Sequence, residues 1–439
     1  MKPIQTICSL ILFLGACAEP YDKGPALRRA DRATQDKRFE DAREELNEIL
    51  EHDPSDIEAH FKLGLSYALD NQPIQARLSF LDVVVLDSTR ADALEQLGML
   101  AFAAEERKEA IEMLERSVRA GTRKGHVYDT LSYLHFQEGT IDKAKHWIRN
   151  AIRANPDARF RMKLATLDHF IGSFDEARDQ LESLAADYPQ YYEGKLLLGR
   201  VYRQLGENEK ALATLNEALE HAKGHPDHFF ELGMARLKTN DPDGAIEAFE
   251  KVLLVDPGHT EARYGMGQAY TRKGDRQKAR LALDRFKDLE DGEKELKADQ
   301  ESFIAHWQDG VLKEKEGDLK GAYQSLKQAA MIKEGDIGTH VMMWMLQRRL
   351  NDPMGVARER EAIQRQLALE STTFDKVALS LAGRLRNRGF KEKAGDVLLA
   401  VLEDDPTHAG ARYQLARVYE STGKLAERDE QFVILRQAR

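Results

Sequence analysis

The chain has 439 residues but only two cysteines, Cys8 and Cys17, both near its start. No zinc site of the CxxC…CxxC kind can be built from them. A chain beginning at or after Cys17 has no internal disulfide, so packing alone must hold it. Basic residues are in deficit: 65 Lys and Arg stand against 75 Asp and Glu, a formal net charge of −10. Gripping nucleic-acid phosphates needs a basic surface, so no nucleic-acid partner is expected. There is no HExxH, no GxSxG and no GxxxxGK[ST]. That removes the commonest signatures of zinc proteases, α/β-hydrolases and phosphate-binding loops. What remains is 42% hydrophobic and 32% charged, apolar enough for a core and too apolar for general disorder.

Long apolar runs are also absent, with one exception. "SLILFLGAC" runs from Ser9 to Cys17, is extended upstream by Ile4, Ile7 and Cys8, and follows Lys2. A bilayer-spanning helix needs about 20 apolar residues, and this run falls short. It fits the apolar region of a signal peptide, about 7–15 residues long, with small Gly15 and Ala16 at the cleavage end. Leu14-Gly15-Ala16-Cys17 resembles the bacterial lipobox. The resemblance implies that residues 1–16 are removed as a signal peptide and that Cys17 is lipidated. Residues 17–22 then form a short tether. Several acyl chains anchor firmly where one anchors marginally, so membrane contact is expected through this anchor only. Ala18 follows the cysteine, not the aspartate of inner-membrane retention. The implied address is an outer membrane, with the protein facing the periplasm. The alternative is an ordinary secretory signal, with Cys17 incidental and a soluble periplasmic product.

The body repeats. Ala42, Ala76, Ala110, Ala144, Ala177, Ala211, Ala245 and Ala279 follow one another at intervals of 34, once 33; Ala322 and Ala394 continue the series at longer intervals. Twelve residues before each stands another small residue: Ala30, Gly64, Gly98, Ser132, Ala165, Gly199, Gly233, Gly267, Gly310 and Ala382. Two small residues so placed let two helices cross closely. Between them lies a turn that is often glycine, as at Gly139, Gly172, Gly206, Gly274, Gly317 and Gly389, because glycine accepts the positive φ that ends a helix. Prolines close many units, at Pro54, Pro156, Pro189, Pro257 and Pro406.

This pattern is similar to the tetratricopeptide repeat, a helix–turn–helix unit of 34 residues. "YEGKLLLGRVYRQLGENEKALATLNEALEHA", Tyr192 to Ala222, carries it most clearly. The resemblance implies an all-α superhelical solenoid of about twelve repeats, starting near 23, 57, 91, 125, 158, 192, 226, 260, 303, 337, 375 and 409. Repeats 1–8 occupy 23–293, a charged linker 294–302, and repeats 9–12 residues 303–439. The wider stretch "KDLEDGEKELKADQES", 287–302, is expected to be either a lengthened helix or a charged linker that hinges the two arrays. Repeat 10 keeps its length but loses the signature, and Arg428 replaces the alanine of the last repeat.

No catalytic residue, cofactor site or metal site stands out, and the chain reads as no enzyme. "GMGQAY", Gly265 to Tyr270, nearly matches GxGxxG but falls inside a repeat's first helix, where packing explains it. His221, His225 and His228 cluster at a repeat junction and are expected to be solvated surface.

In this family the first helix of each repeat lines a concave groove. Its inward positions here carry apolar side chains at first: Phe61, Leu65, Met99, Phe102, Tyr133, Phe136 and Phe170. Later repeats mix aromatics with arginine: Arg200, Arg203, Phe230, Tyr264, Arg272, Trp307, Arg348, Arg386, Tyr413 and Arg417. A protein or peptide partner is expected, with apolar groups docking first and a carboxylate meeting the arginines, which favour bidentate contacts. No small-molecule substrate is expected. The Lys–Asn pairing of the family's chaperone-tail clamps is missing. Lipoproteins with such repeats serve in assembling envelope or secretion complexes. The alternative function is a glycan- or peptidoglycan-binding accessory to an envelope enzyme, using the aromatic stripe.

Overall fold

A computed structural model describes residues 21–219 and 225–437. The lipobox, Cys17 and His221 lie outside the described residues. The described residues form twenty-three helices and no strand, the all-α class that the 34-residue period predicts. Packing divides the chain into two compact units, one ending at Val127 and the other beginning at Tyr128.

The first unit holds three hairpins: α1 (Gly24–Gln35) with α2 (Phe39–His52), α3 (Ile57–Leu69) with α4 (Pro73–Leu86), and α5 (Ala91–Ala103) with α6 (Arg107–Arg119). The boundary falls in the first turn of α7 (Gly125–Gln137). The second unit continues with α8 (Ile141–Ala154), α9 (Ala158–Phe170), α10 (Phe174–Asp187), α11 (Tyr192–Gln204) and α12 (Asn208–Leu219). Then come α13 (Pro226–Lys238), α14 (Pro242–Val255), α15 (Thr260–Lys273) and the long α16 (Arg276–Lys315). The chain ends with α17 (Leu319–Ile332), α18 (Ile337–Arg349), α19 (Pro353–Leu369), α20 (Phe374–Asn387), α21 (Lys391–Asp404), α22 (Ala409–Ser421) and α23 (Leu425–Gln437). Eleven of the repeat starts read from sequence coincide with a helix start to within one residue; the twelfth, at 303, lies inside α16.

The small residues act as the spacing implied, with one refinement. All ten in-register alanines are buried, but each glycine of the series meets a side chain one turn beyond its alanine. A Cβ on Gly199 would sit 2.5 Å from Leu215, one on Gly64 2.6 Å from Phe80, and one on Gly310 2.7 Å from Leu326. The glycine is thus a socket for a large apolar residue sixteen positions on. Where serine replaces it, Ser132 Oγ donates to the Ala144 carbonyl at 2.9 Å. Gly267 of "GMGQAY" is such a socket, for Leu283, while Gly265 makes room for Phe249 of the preceding repeat. The turn that joins the two helices is left-handed in every repeat. Gly206 has φ 81°, and where glycine is missing Lys37, Asn71, Glu105, Asn240 and Asn351 take the same place with φ between 54° and 63°.

Two departures from the pattern have structural consequences. Residues 287–302 are helical, the lengthened helix of the two alternatives. Every residue from 291 to 301 is exposed, so this stretch of α16 packs on nothing. It rests on its own backbone and on surface pairs such as Lys294–Glu290 at 3.0 Å, worth a few tenths of a kcal/mol each (~0.3). Apolar clusters flank it, one from Leu237 to Ala269 and another from Phe303 to Val418. In repeat 10, Trp344 stands where the socket glycine would fall and Val356 where the alanine would. Its second helix, α19, has 17 residues where its neighbour α17 has 14. Arg428 in the last repeat is half-buried and bound to Asp429 at 2.6 Å.

Candidate functional site

The first helices of the repeats carry the residues assigned to a groove, and the structure sorts them. In the first unit, Phe61 and Leu65 pack against the core. Phe61 lies 5.5 Å from Phe80, and the Arg90 guanidinium sits 5.4 Å from the Phe61 ring centre. Met99 and Phe102 are half-buried.

In the second unit an aromatic shelf forms. Tyr133 on α7 is 50% exposed and Phe170 on α9 is 63% exposed. Phe136 meets Phe170 edge-on at 5.1 Å, a geometry that aromatic quadrupoles favour. Beside Phe170 is His169, whose imidazole burial and then the Arg200 charge push below its ordinary pKa. Its Nε2 is buried without a hydrogen-bond partner.

Arg200 and Arg203 on α11 adjoin this shelf, but the structure corrects their role. Both clamp Glu231 of the next first helix, α13. Arg200 Nε donates to Glu231 Oε1 at 2.6 Å, and Arg203 Nη2 lies 3.0 Å from Oε2. Glu231 is only 2% exposed. A carboxylate so deep needs cations or it neutralises, so one unit of positive charge is spent inside and the trio presents a net single charge outward.

The other assigned residues divide likewise. Trp307 and Tyr413 are each 4% exposed and belong mainly to the interior. The Arg388 guanidinium covers the Trp307 ring at 5.2 Å, and Phe432 lies 6.2 Å from Tyr413. Phe230 is half-buried and stacks on His259 at 5.0 Å. Tyr264 is 45% exposed and sits 5.2 Å from Phe286. Arg272 donates to the Leu237 carbonyl. Arg348 pairs with Glu403 at 2.8 Å and lies over Trp344 at 5.0 Å. Arg417 donates to Glu420 at 2.7 Å, and Arg386 is half-buried. The junction histidines also need correction: His225 is exposed, but His228 is fully buried in the first turn of α13. Burial pushes its imidazole below the ordinary value.

One feature escaped sequence reasoning. A concavity of about 940 Å³ opens in the C-terminal repeats, lined among others by Val311, Glu314, Met345, Arg349, Phe390 and Lys393. At its floor Glu314, 5% exposed, accepts from Arg349 Nη1 and Lys393 Nζ, both at 2.6 Å on Oε1. Its Oε2 is buried without a partner. These groups come from α16, α18 and α21, with Glu314 and Lys393 79 positions apart; no local spacing could signal them. Among the described residues no group of His, Cys, Asp and Glu is placed to hold a metal. None of the described helices is long and apolar enough to cross a membrane.

Models of the tetratricopeptide repeat match residues 27–93 and 230–294, 172–229 and 125–157. A TPR repeat-containing protein of Methanocaldococcus jannaschii is 22% identical over 267 residues, 57% of this chain and 47% of that protein. The protein O-mannosyl-transferase TMTC1 of Homo sapiens is 25% identical over 210 residues, 47% of this chain and 24% of that one. The chain therefore spans less than half the length of either relative. Among solved structures, the C-terminal part of a TPR repeat-containing protein from Cytophaga hutchinsonii is 16% identical with a TM-score of 0.46. The match covers 55% of this chain and 99% of that one.

Proposed function

The chain is built of tetratricopeptide repeats, whose usual work is binding proteins or peptides, and on that premise we propose a non-catalytic scaffold of the cell envelope. In this reading lipid on Cys17 tethers it to the outer membrane, facing the periplasm. The first-helix face of its repeats then gathers partner proteins for an envelope or secretion complex. The supporting observation is the aromatic shelf of Tyr133, Phe136 and Phe170 beside the Arg200–Arg203–Glu231 trio. Folding leaves Phe170 mostly in water, and burying such a ring on a partner would contribute about 1.5–3 kcal/mol. The single outward charge suits one acidic group next to an apolar side chain on that partner.

The test avoids the arginines. Arg200→Glu with Arg203→Glu would set three carboxylates together, one buried, and would report on folding as much as on binding. Phe170→Ser changes an exposed ring instead. Crosslinking from envelope extracts should recover a defined partner with the wild type and about tenfold less with Phe170→Ser, since losing about 1.4 kcal/mol is tenfold. Its urea-unfolding midpoint should be unchanged. Equal recovery by the two proteins removes the shelf from this account. Mass spectrometry of the mature N-terminus checks the tether: an unmodified Cys17 thiol, or cleavage elsewhere, removes that part.

A further inference from the structure

Repeat 10 lacks the small residue that the other hairpins place at their helix crossing, and a polar cluster around buried Glu359 joins its two helices instead. His340 lies one turn into α18. Its Nδ1 is 2.9 Å from Glu359 Oε2 on α19, and its Nε2 is 3.3 Å from the Glu334 carbonyl in the preceding turn. Glu359 is 3% exposed. Its other oxygen accepts from Tyr323 Oη on α17 at 3.0 Å and lies 3.4 Å from Arg358 Nε on α19. Arg358 Nη2 also donates to Tyr323 Oη at 2.8 Å. The carboxylate of Asp336, which caps α18, adds a second negative charge on the same side. Glu359, Arg358, Tyr323 and Asp336 are thus the titratable and charged groups that face the ring.

Both ring nitrogens therefore point at oxygens that accept. A neutral imidazole has one donor and one acceptor nitrogen; only the imidazolium has two donors. In the neutral form one of these contacts becomes lone pair against lone pair. We propose that repeat 10 is held by a proton: doubly protonated His340 ties α18 to α19 through Glu359, and its loss as pH rises loosens this hairpin. The consequence reaches the concavity, because α18 supplies Met345, Arg348 and Arg349 to its wall. This holds whether or not the aromatic shelf binds a partner.

The electrostatics agree in sign. The hydrogen bond to Glu359 outweighs burial and raises the His340 pKa above its ordinary 6.5. Burial alone would raise the Glu359 carboxyl, but its bonds from His340 and Tyr323 leave it below its ordinary value. A histidine raised in the folded state stabilises fully below its unfolded pKa, and that stabilisation is lost as pH rises through the folded value.

Histidine NMR of the full chain, titrated from about pH 5 to 9, reads the proton directly, with His340→Gln assigning the resonance. His340 should titrate above about 6.5, the ordinary imidazole value, and Glu359→Gln should return it towards that value. In urea unfolding, the wild-type midpoint should fall across the alkaline half of the range while that of His340→Gln stays level. If His340→Gln does not fold, the resonance that moves in Glu359→Gln identifies the ring. A His340 that titrates at or below 6.5 overturns the proposal, as does a His340→Gln chain that keeps the wild-type alkaline decline.

Discussion

At the scale of single residues, glycine serves this chain in two unrelated ways, and substitution separates them. A Cβ on Gly199 would lie 2.5 Å from Leu215, whereas nothing lies within 4 Å of one on Gly206. Gly199→Ala should therefore cost about 1–3 kcal/mol through overpacking. Gly206→Ala should cost about 1–2 kcal/mol through its left-handed backbone alone. Urea unfolding measures both, and trimming Leu215 to Ala in the same chain should relieve only the first. A Gly199→Ala chain as stable as the wild type would refute the socket. Residue-level function was less legible than residue-level packing. Repeat position puts Trp307 and Tyr413 on first helices, but it cannot say whether a neighbouring element covers them, and both are covered. The arginines show the same gap. Charge at 200 and 203 reads as a solvated or partner-facing pair until Glu231, 28 positions beyond Arg203, is found buried against them.

At the scale of elements, helix starts and turns were readable because each depends on residues within one repeat. The 40-residue α16 was only half readable. The charged run at 287–302 shows that nothing packs there, but not whether its backbone stays helical. Its helix has little tertiary support there, since residues 291 to 301 are all exposed. Ala298→Pro should break it locally, at a cost of about 3 kcal/mol in the helix interior. Limited proteolysis should then cut between 287 and 302, while the apolar clusters on either side keep their unfolding midpoints. A global drop in midpoint would mean that the bare helix holds its neighbours together more than its exposure implies.

At the scale of the whole molecule, three histidines in the second unit bound its stability from opposite sides. Buried His228 and half-buried His169 have depressed pKa values, so their contribution is complete above the unfolded value and is lost as pH falls. His340 has a raised pKa, so its contribution is complete below the unfolded value and is lost as pH rises. The unfolding midpoint should therefore peak near pH 6.5, the value about which all three are displaced. His228→Leu should make the acid limb shallower and leave the alkaline limb unchanged, and a midpoint that climbs steadily from pH 5 to 9 would contradict this balance. The 34-residue period by itself determined the all-α class, the hairpin, its turn and its close-packed crossing, because all of these are local or act between adjacent helices. Tertiary structure alone decided which side chains stay in water and which carboxylates are clamped. It also decided that Glu314, Arg349 and Lys393 share one floor. Those outcomes depend on stacking several repeats, and a charge can be buried only where a partner from another element is brought to meet it.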